Sequence, residues 1–254
     1  DTNFAPPWSE DRVKSTMGMV RGEVDLLENV TAYAAVGKQR YDYSFTGVFL
    51  PTLINNLGDY RFGGIGASAQ SRDILSMQAG LRAKINTGPL DHSIGVNWSE
   101  AETTVYNKAS STNYAFTTNI YNPVFGPSPV LPDIGNVPKS TEYKVSSIGF
   151  ADTMSAFGER IQFTAVTRYQ QEGSASFNAT TGAITTSYYN SAWTPAFALV
   201  VKPWENVSLY GNYIENLKAG TVVGSTYANS GQILPPYVSK QHEAGIKVDW
   251  GAVT

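Results

Sequence analysis

The chain has 254 residues, no cysteine, two histidines and a formal net charge of -3, and only 15% of it is charged, against roughly 25% in ordinary soluble domains. So thin a charged shell, beside 42% hydrophobic residues with 15 Tyr, 11 Phe, 5 Trp and 23 Gly, favours an all-β protein whose surface is partly covered by something other than water. The mild acidity argues against a nucleic-acid partner, and no window approaches the roughly 18 continuous apolar residues of a transmembrane helix.

In chain order, strand-like runs occupy about Val13 to Asp25 and Val30 to Phe45, joined by a tight turn at Leu26 to Asn29 and followed by a long connection from Gly47 to Ala67. The cleanest alternation comes next. From Ile74 to Ile85, Leu75, Met77, Ala79, Leu81, Ala83 and Ile85 share one face, while Ser76, Gln78, Gly80, Arg82 and Lys84 share the other. That is a period of two, the mark of a strand. After a Gly-Pro turn within Asn86 to Asp91, Ile94, Val96 and Trp98 alternate with Ser93, Gly95, Asn97 and Ser99, so the two runs form a hairpin. Ser71 to Ile85 and His92 to Tyr106 are long for strands, whose usual length is roughly five or six residues.

A long connection from Asn107 to Thr141 leads to a run at about Glu142 to Thr153, a short turn at Ser155 to Glu159 and a strand from Arg160 to Gln170. Another long segment, Ser174 to Ser187, precedes Tyr188 to Val201. A short turn, Pro203 to Asn206, then opens Val207 to Glu215. After Asn216 to Pro235, the chain ends on an alternation in which Ala244, Ile246, Val248 and Trp250 oppose Glu243, Gly245, Lys247 and Asp249. About nine strands are predicted. The pattern Glu28-Asn29-Val30-Thr31-Ala32-Tyr33 returns as Glu205-Asn206-Val207-Ser208-Leu209-Tyr210. Each copy opens a strand, with an Asn able to take left-handed backbone angles and a β-branched Val starting the extended run; a chance likeness of two strand starts is the alternative.

Short and long connections alternate throughout. If neighbouring strands are antiparallel, all tight turns lie at one end of the sheet and all long loops at the other, as in outer-membrane barrels with short periplasmic turns and long extracellular loops. A soluble β-sandwich or adhesin has no reason to sort its loops this way. Arg or Lys facing lipid would cost roughly 2–4 kcal/mol at the midplane, so Arg82, Lys84, Arg168, Glu243, Lys247 and Asp249 are assigned to a wet lumen. Tyr33, Trp98, Trp204, Tyr210 and Trp250 fit aromatic girdles at the membrane interfaces. The expected fold is an antiparallel transmembrane β-barrel segment. An odd strand number is read as an incomplete barrel with two unpaired edges.

Three stretches resemble the TonB-dependent siderophore receptors, particularly the ferric-hydroxamate and pyoverdine type. They are Lys202-Pro203-Trp204-Glu205-Asn206-Val207-Ser208-Leu209-Tyr210, then Tyr213-Ile214-Glu215, then Pro235 through Lys247 with its Ser-Lys-Gln-x-Glu-x-Gly-x-Lys entry into a strand. Arg21 to Asp25 and Leu27 to Ala35 look like an earlier hairpin of the same barrel. The resemblance implies a 22-stranded barrel around a plug, with TonB as energy source acting through the plug and N-terminal region. It makes residues 1–254 a partial barrel domain without plug or closing strands, and gives the intact receptor the task of importing a ferric siderophore. A passive porin-like channel is the alternative function.

No catalytic constellation stands out: His92 and His242 are isolated and the carboxylates scattered, so an enzyme is not expected. Gly63-Gly64-Ile65-Gly66 reads as a flexible loop, since no strand-and-helix context supports a phosphate cradle. A ferric siderophore needs π surfaces, hydrogen-bond donors and, where anionic, a cation. By their position towards the loops, Tyr41, Tyr43, Tyr60, Arg61, Tyr106, Tyr114, Tyr121, Arg168, Tyr169 and Tyr227 are the candidate ligand contacts, each with loop packing or a girdle as its alternative role. The siderophore itself holds the iron, so neither a cofactor nor protein metal ligands are expected; lipid and the siderophore are the expected partners.

Overall fold

The computed structural model describes residues 5–49, 52–126, 129–218, 220, 222–224, 226–232, 234–235 and 237–251. One antiparallel sheet takes up most of them. Its strands are β1 (Glu10–Leu27), β2 (Val30–Phe49), β3 (Thr52–Leu53), β4 (Asp59–Asn86), β5 (Asp91–Asn119), β6 (Lys139–Ala156), β7 (Ile161–Phe177), β8 (Ile184–Trp204), β9 (Val207–Lys218) and β10 (Tyr237–Val248). Each long strand pairs with the next in sequence, and the two-residue β3 pairs with β4 off this path. The nine long strands match the nine expected; β3 is the addition. Among the described residues, the outer edges of β1 and β10 have no strand partner.

The strands run further than the alternation of their sequences. β4 has 28 residues and β5 has 29, so most of the expected connection from Gly47 to Ala67 and the first part of Asn107 to Thr141 is strand. Gly63 to Gly66 is strand too, not a flexible loop. There the missing side chains let a neighbouring ring lie flat, since a Cβ on Gly64 would stand 2.7 Å from Phe49 Cζ. Ser174 to Ser187 shrinks to a loop at 178–183. The sorting of connections survives these corrections: turns at 28–29, 87–90, 157–160 and 205–206 lie at one end, and loops at 50–58, 120–138, 178–183 and 219–236 at the other.

The turns are held by specific groups. Asn86 Oδ1 accepts from Gly88 N at 3.1 Å, its Nδ2 donates to Asp91, and Gly88 takes φ 80°. The 157–160 turn passes through left-handed angles at Phe157, Gly158 and Glu159, an uncommon run for residues with side chains. Asn29 does not take the left-handed conformation expected of it. Its carbonyl instead accepts Lys84 N at 2.9 Å and its Nδ2 donates to the Lys84 carbonyl at 2.9 Å, tying the turn to the neighbouring strand.

Residues directly opposite in an antiparallel pair share a face, so the register divides the sheet into two surfaces. Val36, Met77, Leu81, Val96, Trp98, Ile148 and Phe150 fall on one. Arg82, Gln78, Asn97, Ser147, Arg168 and Thr194 fall on the other. Trp98 and Ile148 face each other on the apolar surface, with Phe150 two residues further on. The band extends about ten residues from each tight turn, from Ile85 to Leu75 in β4, which is what a tilted strand needs to cross the hydrocarbon. Beyond it the same face turns charged, with Arg40 against Asp42 and Asp73, Lys144 against Glu100 and Lys139 against Glu142.

Two girdle assignments are overturned. Tyr33 pairs with Gly80 and Tyr210 with Gly245, which places both rings on the polar face. The neighbouring charges explain why. Arg82 sits 5.0 Å from the Tyr33 ring centre with Arg21 at 5.5 Å, and Lys247 sits 5.4 Å from the Tyr210 ring, distances at which a cation is drawn to an aromatic face. The sequence echo is therefore a repeated device: a turn, a tyrosine four residues after its Asn, a glycine across from the ring, and a cation two residues beyond that glycine. Trp98 stays on the apolar face.

Candidate ligand-facing site

The polar face towards the loops is where chemistry gathers. β2 and β4 are in register there, so Tyr41 lies opposite Arg72 and Tyr43 opposite Gln70. Arg72 stands 6.0 Å from the Tyr41 ring centre, and its Nε donates to Gln70 Oε1 at 3.1 Å. Burial, and then the charge of Asp11, hold the Tyr43 hydroxyl above its ordinary pKa, so it stays a donor at neutral pH. Two tyrosines, a guanidinium and an amide thus form one patch, able to stack on a ring and donate hydrogen bonds.

Further out, the loops are fastened to the β4–β5 hairpin. Tyr60 packs edge-on against Phe62 at 5.1 Å, both nearly buried, and Tyr114 stacks on Phe116 at 6.0 Å with Trp8 edge-on at 6.2 Å. Asn119 Nδ2 donates to Leu57 O and Asp59 Oδ1, Ile120 N donates to Gly58 O at 2.8 Å, and Val124 N donates to Thr118 Oγ1 at 2.8 Å. The Asn119 and Asn55 amides hold the Asp59 carboxyl below its usual pKa. Loop 219–236 is tethered where Gly220 N donates to the buried Tyr188 hydroxyl at 2.8 Å. These loops are presented on a stiff support.

The ten candidate residues do not form one cluster. Tyr41 and Tyr43 share the polar face. Tyr60 is 4% exposed and packs the loop-side end of β4, with Arg61 beside it exposed. Tyr114 belongs to the Trp8–Phe116 stack, while Tyr121 and Tyr227 are open to solvent on loops. Arg168 is on the polar face but among the first ten residues from its turn, opposite Gly149 and Thr194. Tyr106 and Tyr169 lie on the opposite face: Tyr106 pairs with Ser71, and Tyr169 sits between Ile148 and Trp193, 5.2 Å from the Trp193 ring. The two histidines also face that side, His92 Nδ1 lying 2.8 Å from Asp152 Oδ2 and the His242 ring 4.8 Å from Tyr213. Sequence reasoning missed Arg72 and Gln70. Carrying the two-residue alternation of β4 past Ile74 would have put Arg72 and Gln70 on the same face as Arg82.

Comparison with known proteins agrees along the whole chain. Residues 2–254 match a family model described as TonB dependent receptor-like, beta-barrel. The ferrichrome receptor FcuA of Yersinia enterocolitica is 30% identical over 97% of this chain and 33% of its own length. The crystal structure of BauA, the ferric preacinetobactin receptor of Acinetobacter baumannii, superposes with a TM-score of 0.86 at 32% identity, covering 99% of this chain and 37% of that one. The siderophore receptor PiuA of the same organism shares the fold at a TM-score of 0.69 and 15% identity, over 96% of this chain and 38% of its own. The chain spans about a third of the length of these relatives.

Proposed function

Because the chain belongs to the TonB-dependent receptor β-barrel family, we propose that it forms the ligand-facing wall of an outer-membrane receptor that captures a ferric siderophore. In this reading the intact protein imports the chelate with energy supplied through TonB. Residues 1–254 are then a partial barrel domain, and the plug and the remaining strands of a 22-stranded barrel lie in the rest of the receptor. FcuA and BauA, 30% and 32% identical to this chain, are named as a ferrichrome receptor and a ferric preacinetobactin receptor.

The observation that carries the proposal is the patch of Tyr41, Tyr43 and Arg72 on the polar face, just beyond the stretch that crosses the hydrocarbon. Its π surfaces and donors suit a bulky chelate whose metal is already fully coordinated. Arg61, Tyr114, Tyr121 and Tyr227 extend the surface along the loops with Tyr60 packed beneath them, and Arg168 lies deeper along the path inward. Radioiron uptake by cells carrying the full-length gene tests the reading. Uptake of at least one ferric siderophore, abolished in cells lacking TonB, is expected; no uptake of any ferric chelate would overturn it.

A further inference from the structure

On the apolar face, β8 to β10 carry their side chains in rungs that run across the sheet. Counting outward from the tight turns, Val201, Leu209 and Ile246 form one rung, Leu199, Gly211 and Ala244 the next, and Phe197, Tyr213 and His242 the third. On its last two strands the middle rung has only a hydrogen atom and a methyl group. With bulky side chains on both sides of it, the face is hollowed there into a recess of about 560 Å³. The rings outward of the recess pack in a row: Phe163 stacks on Phe197 at 6.3 Å, Phe197 on Tyr213 at 6.5 Å, and Tyr213 meets His242 at 4.8 Å.

Polar groups lie along and just beyond this row. Gly211, Tyr213 and Glu215 are the fifth, seventh and ninth residues of β9, so the recess lies inside the apolar band and Glu215 at its outward edge. The Lys240 ammonium stands 3.4 Å from Glu215 Oε1, and the Tyr213 hydroxyl donates to the same oxygen. An ammonium has three donors, so Lys240 keeps some to give. Neither ring nitrogen of His242 has a hydrogen-bond partner among the described residues. Its side chain nevertheless faces the membrane, where a donor without an acceptor is costly.

We propose that this column is a binding site for one phosphate-bearing lipid of the surrounding membrane. Along β10 the order of groups is ammonium, ring N–H and recess, at steps of about 7 Å. Along a glycerophospholipid, from its head inward, the order is phosphate, ester carbonyl and acyl chain. Lys240 then holds the phosphate through charge-assisted hydrogen bonds, His242 donates to an ester carbonyl, and a chain lies in the recess over Gly211 and Ala244. The floor of the recess gives water no hydrogen bond, and an empty recess would forfeit the dispersion contacts of its lining. A hydrocarbon chain is the content that suits it.

The test is native mass spectrometry of the detergent-solubilised full-length receptor. The probes are a phosphatidylglycerol, the diacylglycerol with the same chains, and glycerol phosphate. The expected result is a single-lipid adduct with the phosphatidylglycerol, at least about tenfold more abundant than that with the diacylglycerol, the worth of one hydrogen bond to a charged group. Glycerol phosphate is expected to leave no adduct. Two variants, each checked for native circular dichroism, locate the site. Lys240→Gln removes the cation and is expected to lower the adduct about tenfold. Gly211→Leu fills the recess and is expected to lower it at least about fivefold; a Cβ at Gly211 meets only the Glu243 carbonyl oxygen, at 3.7 Å, so the strand accepts the larger residue. An adduct that either variant leaves unchanged, equal adducts with the two lipids, or retention of glycerol phosphate overturns the inference. So does a dimer that takes up no lipid, which would make this face a contact between two copies.

Discussion

Single residues decide details that the hydrophobic pattern leaves open. Tyrosine has an apolar body and a polar tip, so its presence at a strand end fits a lipid girdle or a wet lumen equally well. What decides for Tyr33 and Tyr210 is the glycine opposite each ring and the cation above it, a relation between strands that no single stretch displays. A Cβ added at Gly245 would stand 2.5 Å from the Tyr210 hydroxyl and 2.6 Å from its Cζ, whereas one added at Gly95 meets nothing within 4 Å. Gly245→Ala is expected to destabilise the receptor by about 1–3 kcal/mol through overpacking, and Gly95→Ala by less than about 0.5 kcal/mol. Urea midpoints in lipid vesicles would compare them, and adding Tyr210→Ala to Gly245→Ala should recover most of the loss. Acid provides a second prediction at this scale. The Ser71 hydroxyl holds the Asp42 carboxyl below its ordinary 3.8, and the Lys139 ammonium holds the Glu142 carboxyl below its ordinary 4.5. Both pairs stabilise the folded form above those ordinary values, and the contribution is lost as pH falls through the lowered ones. Hydrogen exchange should therefore quicken in the loop-side half below about pH 4, while the membrane-crossing half keeps its protection; uniform loosening would contradict this.

Strands were legible where one face meets lipid and the other water, and illegible where glycines and buried residues break that division. Between Ile74 and Ile85 the alternation places the strand, its faces and its membrane depth. From Ser68 up to Asp59 the same strand continues through Gly63, Gly64 and Gly66 and the buried Tyr60, Phe62, Ile65 and Ala67, and the period-two signal vanishes although the ladder of backbone hydrogen bonds does not. That is why the strands were predicted too short and the loops too long. The face assignment makes a sharp test. Leu81→Arg, on the apolar face, is expected to cost roughly 2–4 kcal/mol if near the midplane, whereas Gln78→Arg, on the polar face, should cost under about 1 kcal/mol. Unfolding in vesicles would measure both, and equal costs would show the faces to be wrongly assigned.

At the scale of the molecule, fold class and family could be argued before any coordinates, because sorted connections and the Lys202–Tyr210 and Pro235–Lys247 motifs are features of sequence order. The candidate site was legible only in part. Choosing aromatic and basic residues by their nearness to the loops gathered residues from both faces, since nearness to a loop does not say which way a side chain points. Tyr41 and Tyr169 separate the two cases: Tyr41→Ala is expected to weaken siderophore binding by about tenfold, the worth of one aromatic contact, and Tyr169→Ala to leave it within about twofold. Titration of the full-length variants with the transported chelate would check this. The length of the β4–β5 hairpin has a consequence of another kind. Its strands continue past the apolar band for some fifteen residues, which at the usual rise and tilt lifts their loop-side ends about 40 Å above the hydrocarbon. A particle too bulky to reach the membrane itself, such as an antibody or a phage tail, would meet this stiff, loop-braced end first, which makes the part of the wall furthest from the lipid the part most open to attack.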